Sequence, residues 1–191
     1  FAANVDPAQA LAVEKVNHQF MSVVNAFAAA VEGSGASKVD SFNTALNSVV
    51  EVMKVNVTDN TTINFADQAD LNLIKTQILK DVTNVSNADL VALNSMVDST
   101  TTAILNVNGK IDLVTDIGSA SAKNVFSTAQ VLTVQVKNGV AAEVTTAGTG
   151  TIDFTVLSQV DAAVANIAPT DIILSENTFN ELSDTLLVGT L

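Results

Sequence analysis

The feature that most constrains this chain is a long amphipathic pattern that covers residues 89–117. Apolar residues recur there at intervals of three, four or seven, and only Thr100 and Thr101 stand where another apolar residue is expected. This spacing predicts an α-helix with one apolar face, about 40 Å long, which must bury that face. We therefore expect the rest of the chain to pack around it. The apolar residues of the pattern are Leu90, Leu93, Val97, Ile104, Val107, Ile111 and Val114.

Two earlier patterns predict an antiparallel pair of helices. Asp6 is a suitable N-cap with Pro7 at the first helical position, and Gly33 to Gly35 predict the end of this first helix. A second helix is expected to begin near Ser37. The residues expected to be buried are Val13, Val16, Phe20, Val23, Phe27 and Val31 in the first helix, and Val39, Phe42, Leu46, Val49 and Met53 in the second.

A polar loop over 56–64 and a third helix are expected between this pair and the long helix. Asn64 or Asp67 is the predicted N-cap of the third helix, whose apolar residues are Leu71, Ile74, Ile78, Val82 and Val85. Within the long helix, the stretch 106–109 ends in a glycine, which costs about 1 kcal/mol relative to alanine. We expect a bend or a frayed turn there.

The region 125–146 admits two interpretations. Helical spacing runs from Val125 to Val140, but Leu132, Val134 and Val136 alternate, and a hairpin turn at 137–139 would suit two strands. The continuous helical spacing favours a helix, and the hairpin remains the alternative. A linker over 145–151 then precedes a last predicted helix over 153–167.

Beyond residue 167 the pattern changes from helical to extended. The segments 170–175 and 186–191 read as two short strands, and two strands alone are marginal in water. The fold class predicted is therefore mainly α: a bundle of five or six helices over residues 1–167, followed by a short C-terminal β segment over 168–191. An unpaired terminal strand is also a site where another chain can pair.

The composition narrows the possible partners. The net charge is −12, so the surface repels nucleic acids and anionic lipids and attracts cations, calcium above all. There is no cysteine, which excludes disulfides and thiolate zinc sites, and no apolar run reaches the ~18 residues of a membrane span. The N-terminus carries no signal-peptide pattern and no initiator Met. We expect a processed or excised piece of an exported protein, at the cell surface or outside the cell.

Residues suited to catalysis are few and scattered. Glu14 and His18 could share one helical face, but a zinc site needs three or four ligands and no second histidine exists. Asp112 and Asp116 could likewise lie on one face, and paired carboxylates can act as acid and base in glycoside cleavage. With no Trp or Tyr to stack against a sugar, a solvated acidic surface is the simpler interpretation. The sequence thus favours a protein that is not an enzyme.

The C-terminal tail resembles the start of a bacterial cadherin-like tandem repeat. The residues that carry the resemblance are the stretch 168–175 (Ala-Pro-Thr-Asp-Ile-Ile-Leu-Ser), the acidic turn 177–181 (Asn-Thr-Phe-Asn-Glu) and the strand 188–191 (Val-Gly-Thr-Leu). Such repeats are β-sandwiches strung along large surface and secreted adhesins, with calcium rigidifying the joints.

The resemblance implies a calcium site in the tail. Glu181 occupies the position of a glutamate ligand in the acidic turn of these repeats, and Asn166 matches the asparagine of the linker between them. Val164 and Ile167 stand where that linker usually carries acidic ligands. Calcium is therefore the one cofactor expected, held by Glu181 and Asn166.

The function expected is a non-catalytic structural or adhesive module of an extracellular bacterial protein. Its partners would be neighbouring repeats, copies of itself or a surface ligand. One alternative is a self-assembling filament or surface-layer subunit, whose C-terminal strands pair with a neighbour. A second alternative is an ancillary domain of a secreted hydrolase.

Overall fold

A computed structural model describes residues 6–116, together with 122, 125, 133, 136–138, 140 and 141, and leaves out the side chains of 7, 88 and 95. This part of the chain is mainly α-helical, as the sequence predicts, and contains no strand. Its four continuous helices are α1 (Pro7–Gly33), α2 (Lys38–Thr58), α3 (Gln68–Asp81) and α4 (Asn87–Asp112).

Each helix begins at a side chain that caps it. Asp6 accepts a hydrogen bond from the backbone of Ala8 ahead of Pro7, as predicted. The Oγ atoms of Ser37 and Ser86 cap α2 and α4, and Asp67 caps α3. These groups satisfy backbone donors that have no partner within the helix. The helix starts are therefore set by local chemistry.

The four helices pack in a closed ring. α1 packs against α2 and α4, and α3 packs against the same two helices, so that α1 and α3 lie on one diagonal and α2 and α4 on the other. Short connections join successive helices, which is the arrangement of an up-and-down bundle. The predicted pairing of α1 with α2 is confirmed.

Six residues near the C-terminus of α1, 26–31, are buried on all sides and share the central position that the sequence predicts for α4. From Ala26 to Val31 every side chain is buried. Helical residues from further along the chain cover the end of α1: Lys137 Nζ lies 2.7 Å from Glu32 Oε1, and Val140 lies against Gly33. All described residues between 122 and 141 are helical, which favours the helix over the hairpin there.

The predicted apolar faces of α1 and α2 are buried only in part. Val13 is 66% exposed and Val16 is 54% exposed, because the first turns of α1 carry their buried contacts on the side of Gln19. In α2 the predicted Val39 and Phe42 are exposed as well. The buried face of α2 instead consists largely of small or polar residues, namely Ser41, Ala45, Ser48, Val49, Val52 and Asn56.

The C-terminal ends of α2 and α3 differ from the predicted ones. α2 runs to Thr58 and ends with Asn60 at a φ of 55°, where the amide of Thr61 donates to the carbonyl of Asn56. This left-handed cap satisfies the last carbonyls, so the loop begins at 59 rather than 56. α3 ends at Asp81, before Val82 and Val85.

The long helix α4 is continuous where a bend was expected. Gly109 lies inside Asn87–Asp112 without interruption, because Val107, Asn108 and Ile111 on either side of it are buried in the bundle. Packing therefore outweighs the low helix propensity of glycine. Thr100 and Thr101 are both buried, and the Thr101 hydroxyl donates to the carbonyl of Val97.

Several predictions lie outside the described residues. They are the helix over 153–167, the strands over 170–175 and 186–191, and the tail 168–191 as a separate unit. In the part of the chain that the structure does describe, no helix combines the length and the apolar character that crossing a membrane requires.

The close packing at Gly33 can be tested by comparing alanine substitutions at Gly33 and Gly109. A Cβ atom on Gly33 would lie 2.7 Å from the Lys137 carbonyl oxygen, whereas one on Gly109 would meet nothing within 4 Å. We expect Gly33→Ala to lower the free energy of unfolding by about 1–3 kcal/mol through overpacking, and Gly109→Ala to raise it by up to about 1 kcal/mol. Urea denaturation measures both. Equal effects from the two substitutions would contradict the close contact at Gly33.

Candidate functional site

A buried asparagine connects three parts of the bundle. Asn108, in the last turns of α4, has no exposed surface. Its Nδ2 donates to the backbone carbonyl of Phe65 at 2.7 Å, in the loop between α2 and α3, and to the carbonyl of Gln19 on α1 at 3.4 Å. One amide group thus joins α4 to α1 and to the loop that crosses the end of the bundle.

The neighbouring side chains of α1 complete this arrangement. Gln19 Nε2 donates to the Asn108 carbonyl at 3.1 Å and to Asp112 Oδ1 at 2.7 Å, and Lys15 Nζ donates to the Asp112 carbonyl at 2.7 Å. Lys15 also places a positive charge at the C-terminus of α4, where the helix dipole favours one. We call Lys15, Gln19, Asn108, Asp112 and the Phe65 carbonyl the α1–α4 polar cluster.

The polar cluster fixes how α1 and α4 align. The bonded pairs run from Lys15 with Asp112 to Gln19 with Asn108, so the two helices are antiparallel with one defined register. Sliding either helix by one turn would leave the buried amide of Asn108 without its partners, which is costly. The ring of Phe65 packs edge to face on that of Phe20, with centroids 5.8 Å apart, and holds the loop over this register.

A polar groove of about 630 Å³ lies between α2 and α3. Its wall is anchored where Ser48 Oγ donates to Asp81 Oδ2 at 2.9 Å and where Gln77 Nε2 donates to the same carboxylate. The side chains around it offer amide, hydroxyl and carboxylate groups, with Lys80 as the one cation. The lining residues are Asp40, Asn43, Thr44, Asn47, Glu51, Val55, Gln77, Lys80, Asp81, Thr83 and Asn84.

The chemistry of this groove is that of hydrogen bonding. Its three carboxylates outnumber its single cation, so an anionic ligand would be repelled. The carboxylate of Asp81 already accepts a hydrogen bond from Ser48, which holds α3 against α2, and another from Gln77 one turn earlier on α3. The groove can therefore present fixed donors and acceptors to a neutral or cationic group, while its central residues stabilise the helix pair.

Of the two residue pairs that the sequence offered as catalytic candidates, one shares a helical face and the other does not. His18 Nε2 lies 3.3 Å from Glu14 Oε1 on α1, so these two do share one helical face. Asp112 is the last residue of α4, so Asp116 lies beyond the helix and the two carboxylates do not share a face. Within the described residues, no group of three or more His, Cys, Asp or Glu side chains is arranged to hold a metal ion.

The calcium ligands implied by the tail, Glu181 and Asn166, lie outside the described residues. Two residues that matter most in the described part were not singled out from the sequence: Gln19 and Asn108. A signal for Asn108 was present, because it falls beside Ile104, Val107 and Ile111 on the buried side of the long helix. A polar residue in that position must find buried partners.

Comparison with known proteins yields no relatives. No protein family model, no curated protein and no solved structure matches the chain.

The polar cluster predicts a large difference between two asparagines of one helix. Asn108→Ala removes the side-chain donor to the backbone carbonyls of Phe65 and Gln19, so we expect the free energy of unfolding to fall by about 2 kcal/mol. Asn106→Ala, at a half-exposed position two residues earlier, should change it by less than about 0.5 kcal/mol. Chemical denaturation compares the two variants. A cost at Asn108 no larger than that at Asn106 would mean that the cluster does not fix the helices.

Proposed function

We propose that this chain is a non-catalytic structural module of an extracellular bacterial surface or secreted protein, with an adhesive role carried through its tail. The helical part provides a rigid, solvated body. The tail, as the beginning of a cadherin-like repeat, connects that body to further repeats.

The observation that supports a structural role is that polar side chains form hydrogen bonds and ion pairs between helices. Some of the polar side chains in the described helix interfaces join one helix to another: Asn108 and Gln19 between α1 and α4, and Ser48 with Asp81 between α2 and α3. Lys75 Nζ lies 2.6 Å from Asp98 Oδ1 between α3 and α4, and Glu32 pairs with Lys137. Such cross-links set the register of a body that has no disulfide to hold it.

The surface and the tail support the rest of the proposal. A net charge of −12 keeps the module solvated and separate from nucleic acids. The Pro-Thr-Asp-Ile-Ile-Leu-Ser and Asn-Thr-Phe-Asn-Glu segments of the tail supply the likeness to surface adhesins, and with it the extracellular location and the link to calcium.

The absence of catalysis is tested directly on the whole chain. Purified protein is incubated with panels of polysaccharides, peptides and simple esters, and products are followed by mass spectrometry. We expect none above a heat-unfolded control. Turnover that copurifies with the folded protein and disappears on unfolding would overturn the structural proposal and favour the hydrolase alternative.

The calcium site is tested by chelation. If Glu181 and Asn166 hold calcium, EDTA should lower the melting temperature of the whole chain, because the ion binds the folded form only. Glu181→Gln should remove this response, while Glu51→Gln, at an exposed α2 residue paired with Lys54, should keep it. A melting curve that EDTA leaves unchanged in the unsubstituted protein would dismiss the site.

The self-assembling alternative makes a different prediction about mass. A module joined in line to its own neighbours stays monomeric when studied alone, so light scattering should give one mass at all concentrations. A mass that rises with concentration, and that Val188→Pro abolishes by removing a strand donor, would favour strand exchange through the tail instead.

A further inference from the structure

Three stretches of the sequence have the pattern Asn-X-Ser/Thr, at which oligosaccharides are attached to exported proteins. They begin at Asn56, Asn60 and Asn84, all within the described residues. A chain rich in asparagine and threonine contains this pattern by chance, so the pattern alone does not select an acceptor. The structure distinguishes the three, because it places their amides and hydroxyls in different surroundings.

The first pattern, 56–58, lies inside α2 and is closed to a transferase. Asn56 is only 9% exposed, and the Thr58 hydroxyl donates to the carbonyl of Lys54 at 2.9 Å. An oligosaccharide is bulky and strongly hydrated, so attaching one to Asn56 would force this side chain out of its buried position. Asn56 is therefore unsuited as an acceptor.

The third pattern, 84–86, is exposed at Asn84, but the fold uses its serine. Ser86 Oγ accepts a hydrogen bond from the amide of Asp89 at 3.2 Å and donates to Asp89 Oδ2 at 2.5 Å, which caps α4. Val85 between them is half-buried against the core. A transferase that binds the hydroxyl of the pattern would have to open the first turn of α4.

The second pattern, 60–62, is presented at the surface by the turn that ends α2. Asn60, Thr61 and Thr62 are all exposed. The turn is fixed by the φ of 55° at Asn60 and by the amide of Thr61, which donates to the carbonyl of Asn56 at 2.8 Å. Within the part of the chain that the structure describes, the Thr62 hydroxyl makes no hydrogen bond. The amide and the hydroxyl of this pattern are thus both accessible in the folded protein.

We propose that Asn60 is the acceptor of an N-linked oligosaccharide. The inference rests on the proposed extracellular role, because this modification is made on exported chains. In the transfer, Asn60 Nδ2 forms a bond to the anomeric carbon of the first sugar of a polyprenyl-diphosphate oligosaccharide. The bond between that carbon and the diphosphate oxygen breaks with its electron pair, the lipid diphosphate leaves, and a base of the transferase takes one proton from Nδ2.

An oligosaccharide at this position also covers apolar surface. Val57 is 77% exposed, and its carbonyl accepts a hydrogen bond from the amide of Asn60 at 3.2 Å, so the two residues are neighbours in the last turn of α2. A hydrated sugar chain on Asn60 shields this side chain from other molecules and keeps the surface soluble.

Peptide mass spectrometry of the protein purified from its source measures the occupancy of all three asparagines. We expect the oligosaccharide on Asn60, at a higher occupancy than on Asn56 or Asn84. Exported protein that carries none on Asn60, or at least as much on either of the other two, would overturn the inference and leave the proposed function standing. Unmodified protein found only inside the cell would overturn both.

Three variants of the whole chain, produced in the same cells, separate recognition of the pattern from helix capping. Thr62→Ala should abolish the modification and Thr62→Ser should retain it, because the two differ in the hydroxyl that the pattern requires. Asn60→Gly should abolish it as well but leave the melting temperature of the unmodified protein unchanged, since glycine adopts the left-handed turn without strain. An oligosaccharide that persists in Thr62→Ala or in Asn60→Gly would overturn the assignment to Asn60.

Discussion

The structure depends on a stretch of α1 that offers no polar side chain to water. The run of Ala, Val and Phe from Ala26 to Val31 is buried around its whole circumference. A helix of this kind is stable only when neighbours surround it, because its burial supplies the main driving force. The other elements are placed accordingly: α2 and α4 on two sides, and the helical residues near Lys137 at its end. Alanine permits these neighbours to approach closely, and Gly33 permits one backbone to contact another.

Apolar burial alone does not determine how far along α1 each neighbour sits, and the polar cluster supplies that information. Alanine and valine surfaces can slide past one another with little change in buried area. The amide of Asn108 cannot, because its partners on Gln19 and Phe65 are single atoms. The apolar core of the bundle therefore allows several alignments of the helices, and a few hydrogen bonds select one of them. The bond between Ser48 and Asp81 fixes the alignment of α2 with α3 in the same way.

Features of the fold that depend on residues close together in the sequence could be predicted, and those that depend on distant residues could not. The helix starts at Asp6, Ser37 and Asp67 were predictable, since a cap involves residues two or three apart. The stripe along α4 was predictable as well, because a long helix averages over local exceptions. The buried face of α2 was predictable only in part, because Val49 is buried as predicted but Val39 and Phe42 are exposed. Hydrophobicity selects Val39 and Phe42, whereas the neighbours of α2 select the small residues Ser41, Ala45 and Ser48, which allow helices to pack closely. Which face of a helix is buried depends on the helices that pack against it, and the spacing of apolar residues does not identify those helices. The same limit applies to Asn108, whose role becomes visible only once Phe65 and Gln19 are beside it.

The separation along the chain between α1 and its partners has a consequence for biosynthesis. Gln19 bonds to a residue 89 positions later, and Glu32 to one 105 positions later. At 5–20 residues per second, a ribosome takes on the order of ten seconds to deliver those partners after α1 has emerged. During that interval only α2 is at hand to shield the most apolar helix of the described bundle, and the chain is open to aggregation or to capture by a chaperone. A nascent chain that stalls before α4 is made should therefore be an insoluble or chaperone-bound product, even though three complete helices have already been made.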